Sequence, residues 1–96
     1  MKFMATWRIH DEHRESAFKT FSEMTEADDK TDHGSDIKLI GRWHDLAQFT
    51  GVAIFEADSA AAIANWILNW NSILDAEVVP VVDDAEGRAI GKARMG

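Results

Sequence analysis

Phe3, Ala5, Trp7 and Ile9 alternate with Met4, Thr6, Arg8 and His10 at the start of the chain. A period of two predicts a strand with two unlike faces. Asp11 follows as a helix cap or first-turn acid. Ala17, Phe18, Phe21 and Met24 then return at helical spacing among Glu, Lys, Thr and Ser, which predicts an amphipathic helix with one buried stripe. Ala27 to Ser35 is polar and carries Asp28, Asp29, Lys30, Asp32 and Gly34, so it reads as a loop.

Ile37, Leu39, Gly41 and Trp43 begin a second alternating series. Asp45 to Gln48 turns the chain, and Thr50 to Ala57 alternates again. These two strands are expected to form a hairpin. Asp58 or Ser59 caps a second helix whose buried stripe is Ile63, Trp66, Ile67 and Trp70. Asn69, Asn71 and Ser72 end it. Glu77 to Val82 is a last strand, and Pro80 within it points to an edge position or a bulge. Asp83 to Arg94 is either a short terminal helix or a tail, with Gly87 and Gly91 weakening the helix.

Strand, helix, strand, strand, helix, strand is the ferredoxin-like βαββαβ order of an α+β domain. It predicts a four-stranded antiparallel sheet covered by helices on one face. The bare face carries Met4, Ile40, Val52, Ile54, Val79 and Val81 and needs a second layer. The same face of a second copy, related by a two-fold axis, supplies it most simply. The expected assembly is a homodimeric α/β barrel.

The chain has 96 residues, a length that predicts a single domain over 1–96. Its net charge of −7 argues against nucleic acid and anionic membrane partners. No apolar run approaches the ~20 residues of a membrane span. There is no cysteine, which removes disulfides and thiolate chemistry and fits a reducing compartment. A cytoplasmic location is the expectation.

Several stretches resemble a known family. They are Met1-Lys2-Phe3-Met4-x-Thr6-Trp7, Gly41-Arg42-Trp43-His44, Gly51-x-Ala53-Ile54-x-Glu56 and Glu77-Val78-Val79-Pro80-Val81-Val82. Together they resemble the bacterial domain-of-unknown-function family DUF3303, which is similar in kind to the dimeric α/β-barrel superfamily. The resemblance runs from Met1 to about Asp83. It implies the fold and a homodimer, and it implies no catalytic residues. The acidic stretch Asp28 to Asp36 and the turn Asp45 to Gln48 depart from the family pattern.

Strict alternation places Thr6, Arg8, His10, Lys38, Arg42, His44, Glu56 and Glu77 on the bare face. It sends Trp7 and Trp43 under the helices. A bulge near Gly41 would reverse Trp43. Gly41-Arg42-Trp43-His44 stands out because a cation and a titratable ring share one face where aliphatics are expected. One reading is a small-organic-ligand pocket, with His44 as acid/base, Arg42 and Arg8 holding an oxyanion, and Thr6, His10, Glu56 and Trp43 contacting the ligand. By analogy with similar barrels this is a cofactor-independent enzyme of the monooxygenase or isomerase type. The other reading is a non-catalytic homodimeric ligand-binding or interaction module, with Arg42 paired to Glu56 or Glu77 across strands.

No cofactor is called for. His10-Asp11-Glu12-His13 lacks the i, i+4 histidines of a zinc-protease helix, so no metal site is expected there. Asp29 to Gly34 fails as a calcium loop, because Ile40 stands where its last ligand belongs. Gly87 to Ala93 has the wrong spacing for a phosphate-binding loop.

Overall fold

The structure, a computed structural model, describes residues 1–96. Four strands form one antiparallel sheet: β1 (Lys2–Ile9), β2 (Ile37–Asp45), β3 (Thr50–Ala57) and β4 (Leu74–Val81). Their spatial order is β2-β3-β1-β4, the ferredoxin-like arrangement. β2 and β3 form the expected hairpin. β4 is an edge strand, where Pro80 can lack an N–H without breaking an inner ladder.

The crossover from β1 to β2 holds more helix than its composition suggests. A 3-10 turn (Asp11–His13) leads into α1 (Arg14–Glu23), and α2 (Glu26–His33) follows. α2 replaces the loop expected over Ala27 to Ser35. The Thr25 hydroxyl accepts from the Asp28 N–H at 3.2 Å, and the Asp28 carboxylate accepts from the Thr25 N–H at 2.9 Å. This reciprocal cap starts the helix. Glu26, Asp28 and Asp29 occupy its first turn and Lys30 its last, signs that suit the helix dipole, while Asp32 near its end is held by α3 instead. Gly34, at φ 72°, ends it. The charges that read as loop are helix-end charges.

α3 (Ala60–Ile67) begins at Ser59, whose hydroxyl accepts from the Ala62 N–H at 3.4 Å. The terminal segment is a full helix, α4 (Asp84–Met95), despite Gly87 and Gly91. Asp83 and Glu86 form its capping box, and Lys2 Nζ reaches both carboxylates at 3.5 and 3.6 Å. α4 buries no residue, and the molecule measures 52 × 29 × 20 Å.

The core lies between the sheet and the helices. Phe3, Ala5, Ala53, Phe55 and Ala57 face it from the central strands, with Ile37 from β2 and Ile63 and Trp66 from α3. Trp7 joins this side by lying over Gly51, where an added Cβ would sit 2.3 Å from the indole. Gly51 is there because the ring needs the space.

β2 does not alternate strictly. Leu39 pairs with Phe55 but Gly41 pairs with Ile54, leaving Ile40 as an extra residue. A bulge of one residue exchanges the faces of everything beyond it. Arg42 now stands opposite Ala53 and His44 opposite Gly51, both on the helix side. Trp43 stands opposite Val52 on the bare side, 61% exposed. The expectation from strict alternation is thus reversed at all three residues.

Candidate functional site

The reversal carries Arg42 and His44 into a cavity of about 90 Å³ between the sheet and the helices. Thirteen of its 18 lining residues are hydrophobic, so the cavity is apolar with a small polar end. Trp7, Ile9 and Leu74 line it from the sheet. Ala17, Phe18, Phe21 and Met24 line it from the α1 side, and Trp66, Ile67 and Trp70 from α3 and its extension. Leu46 and Phe49 close it from the hairpin turn.

α1 covers this space loosely. Ala17 is its only buried residue, while Phe18 and Phe21 remain 43% and 36% exposed. A helix that seats so little apolar surface is held weakly against its sheet.

Arg42 is mostly withdrawn from water, with its side chain 19% exposed. Its guanidinium carbon sits 5.0 Å from the Phe21 ring centroid, a cation–π approach. Nη2 donates to both oxygens of Asp29 at 3.3 and 3.2 Å. Nη1 and Nε make no hydrogen bond within the protein. Arg42 is therefore half-committed: one nitrogen to α2, two available.

His44 stands at the mouth. Its ring lies 4.5 Å from the Phe21 centroid and edge-on to Trp7 at 5.9 Å. Neither ring nitrogen is hydrogen-bonded to protein. The residue is still exposed, but partial burial of the ring lowers its pKa below 6.5, and repulsion from Arg42 lowers it further.

Asp32 anchors the other end. Its carboxylate accepts from Trp66 Nε1 at 2.8 Å, from Trp70 Nε1 at 3.0 Å and from Asn69 Nδ2 at 3.1 Å. A carboxylate with its lone pairs so filled is a fastener rather than a ligand contact. It ties α2 to α3 as Asp29 ties α2 to β2. His33, next in the chain, is buried edge-on to Phe55 and Trp66, and that burial lowers its pKa.

Of the residues singled out from sequence, only Arg42 and His44 meet. Thr6, Arg8, Glu56 and Trp43 lie on the other face of the sheet. In the strand register Thr6 is opposite Val52 and Glu77, Arg8 is opposite Thr50 and Asp75, and Glu56 lies between Lys2 and Lys38. His10 is at the end of β1, bonded to Asp75. The pairing of Arg42 with Glu56 or Glu77 does not occur; Asp29 takes that place. Sequence reading missed Asp29 and Asp32. Trp66 and Trp70 gave one signal, since two buried indole N–H groups one turn apart call for an acceptor.

A family model described as a domain of unknown function (DUF3303) matches residues 1–95. The chain belongs to the DUF3303 family. No curated protein matches it. Among solved structures, the DUF3303 chain is similar to SCO4226 from Streptomyces coelicolor A3(2), at 21% identity and a TM-score of 0.52, covering 86% of this chain and 100% of that one. That likeness is one of fold. An uncharacterised NIPSNAP domain protein from Burkholderia xenovorans matches at 12% identity and a TM-score of 0.46, over 86% and 95% of the two chains. A Deinococcus radiodurans protein provisionally described as an antibiotic biosynthesis monooxygenase matches at 14% identity and a TM-score of 0.45, over 85% and 92%.

Proposed function

We propose that this DUF3303 protein is a cofactor-independent small-molecule enzyme whose chemistry is proton transfer at His44. The observation that carries this reading is a histidine with no hydrogen bond on either ring nitrogen, beside an arginine bonded through Nη2 alone, at the edge of a largely apolar cavity. His44 takes a proton from an acidic C–H or O–H of the ligand. The Nη1 and Nε donors of Arg42 hold the oxyanion that results. Return of the proton at a second carbon completes an isomerisation. Attack of the same carbanion on dioxygen, followed by protonation to a hydroperoxide and loss of water to leave a carbonyl at that carbon, is the monooxygenase alternative, with dioxygen as the oxidant.

The cavity limits the ligand. A cavity of roughly 150 Å³ takes up benzene, and this one is smaller, at about 90 Å³. The ligand therefore buries one flat apolar edge and leaves its polar part at the mouth, or α1 lifts to admit it. A panel of enolisable aryl ketones and aryl acids tests the reading. Binding is read by quenching of the cavity tryptophans, and proton transfer by exchange of the acidic C–H in D₂O. His44→Ala is expected to keep binding and to lose exchange by about 10²-fold or more. Binding with no exchange in the wild type leaves the non-catalytic binding module.

The assembly proposed with it is a homodimer through the bare sheet face. Ile40, Trp43 and Val79 are 50%, 61% and 41% exposed there, around half-buried Met4, Val52 and Ile54. Apolar side chains left on an uncovered sheet face favour a second layer. Light scattering should give twice the chain mass, and Trp43→Asp should give a monomer. A monomeric wild type removes this part and leaves the cavity reading untouched, because the cavity lies on the opposite face.

A further inference from the structure

The strongest chemistry outside the cavity lies where β1 enters the 3-10 turn. His10, Glu12 and His13 bring one ligating atom each within 4.8 Å of one another. The i, i+4 rule that dismissed this stretch assumes an α-helix. Here His10 is the extended residue that caps a 3-10 turn and His13 is its last residue, with the His13 N–H donating to the His10 carbonyl at 2.9 Å, so the turn folds the two back toward each other. His10 and His13 are three apart, and their ring centroids are 6.2 Å apart. Geometry replaces the spacing that the sequence lacked.

A fourth residue arrives from 65 positions away. His10 Nε2 bonds Asp75 Oδ1 on β4 at 3.0 Å. A carboxylate on one imidazole nitrogen fixes the ring and makes the other nitrogen the better ligand, an arrangement common around metal-binding histidines. The His10 backbone is fixed too, since its N–H donates to the Ile73 carbonyl at 2.9 Å.

We infer that His10, Glu12 and His13 form a site for a divalent transition ion of the zinc or nickel kind, with Asp75 orienting His10. Two imidazoles and one carboxylate are an N,N,O donor set. It favours borderline ions over Mg²⁺ or Ca²⁺, which want oxygen ligands throughout. Three protein ligands leave positions open to water. In a tetrahedral site the ligand atoms would lie about 3.4 Å apart, so the side chains close in slightly from the 4.8 Å limit seen here. The rings are only partly buried and have room to do so. The ion fastens the 3-10 turn, from which α1 departs over the cavity. With no cysteine in the chain, no thiolate competes for it.

Titration calorimetry with Zn²⁺ on the chelator-treated full chain at neutral pH tests the site. One ion per chain is expected, with no comparable binding of Mg²⁺. His10→Ala and His13→Ala should each weaken Zn²⁺ binding by about tenfold or more, and Asp75→Asn by about tenfold with the stoichiometry kept. His44→Ala should bind as the wild type does. In the wild type, the imidazole NMR signals of His10 and His13 should move together on Zn²⁺ addition, ahead of those of His33 and His44. This keeps the test open if a variant misfolds. No saturable binding, equal affinity for Mg²⁺, or unchanged affinity in the His10→Ala/His13→Ala double variant overturns the inference. None of these results bears on the cavity.

Discussion

Arg42 and Asp29 are joined across 13 positions by two hydrogen bonds of 3.3 and 3.2 Å, both from the same guanidinium nitrogen. The pair couples the cavity wall on β2 to α2. Asp29 also places a carboxylate on Nη2 of Arg42, beside the Nη1 and Nε donors proposed to hold an oxyanion, and repels an anion there. Asp29→Asn should therefore act in two directions. Losing a largely buried charge-assisted pair should cost about 1–2 kcal/mol of stability, read by urea denaturation. Freeing the guanidinium should tighten binding of an anionic aryl ligand several-fold. Weaker anion binding in this variant would show that Asp29 positions Arg42 rather than competing for it.

Ile40 is the extra residue of the β2 bulge, just ahead of Arg42 and His44. Deleting it joins Leu39 directly to Gly41 opposite Phe55 and Ile54, so the bulge is lost but Arg42 and His44 keep the helix side and Trp43 the bare side. Stability should change by about 1 kcal/mol or less, since Ile40 is 50% exposed. Denaturant midpoints and tryptophan emission measure this. A loss above about 3 kcal/mol with altered tryptophan emission would mean that the strand takes another register without the bulge.

Asp32 is the acceptor for two indole N–H groups. Asp32→Ala leaves both partly buried donors unpaired and should cost about 2–4 kcal/mol. Asp32→Asn keeps one acceptor oxygen and should cost less. Emission from Trp66 and Trp70 should shift in the alanine variant first, because α2 comes away from α3. Equal stability of the two variants would argue against the indole bonds as the source.

His33 and His44 both have pKa values lowered below 6.5 by burial. The unfolded chain then binds protons at a higher pH than the folded one. Unfolding free energy rises with pH wherever the unfolded state holds more protons. Their contribution is complete above about pH 6.5 and is lost as pH falls from there toward the lowered folded values. Wild-type stability should decline on acidification through this window, and His44→Gln should decline less steeply. An identical slope in wild type and variant would assign the effect to His33 and the carboxylates. Proton transfer by His44 should persist to a lower pH than an ordinary histidine allows.

Much of this architecture was legible in the residue pattern. Period-two runs at Phe3 to Ile9 and Thr50 to Ala57, the helical stripe Ile63-Trp66-Ile67-Trp70 and Pro80 in a last strand lead to the sheet that the structure contains. Burial against a neighbouring layer imposes those periods, so they are written locally. α2 was hidden because its cap is made by Thr25 and Asp28 and its charges suit the helix dipole rather than an apolar stripe.

The sequence by itself determined the strands, their order in the chain and the bare apolar face, because each follows from neighbours two to four residues apart. Only the tertiary structure decided which face Arg42 and His44 occupy. One extra residue at Ile40 inverts a strand without changing its composition, and the inversion appears only in the register with β3. The partners Asp29, Asp32 and Asp75 were likewise decided by packing. Asp29 and Asp32 come from α2 and Asp75 from β4, each far in sequence from its partner, and no local spacing connects an acid to a cation, an imidazole or an indole that folding brings beside it.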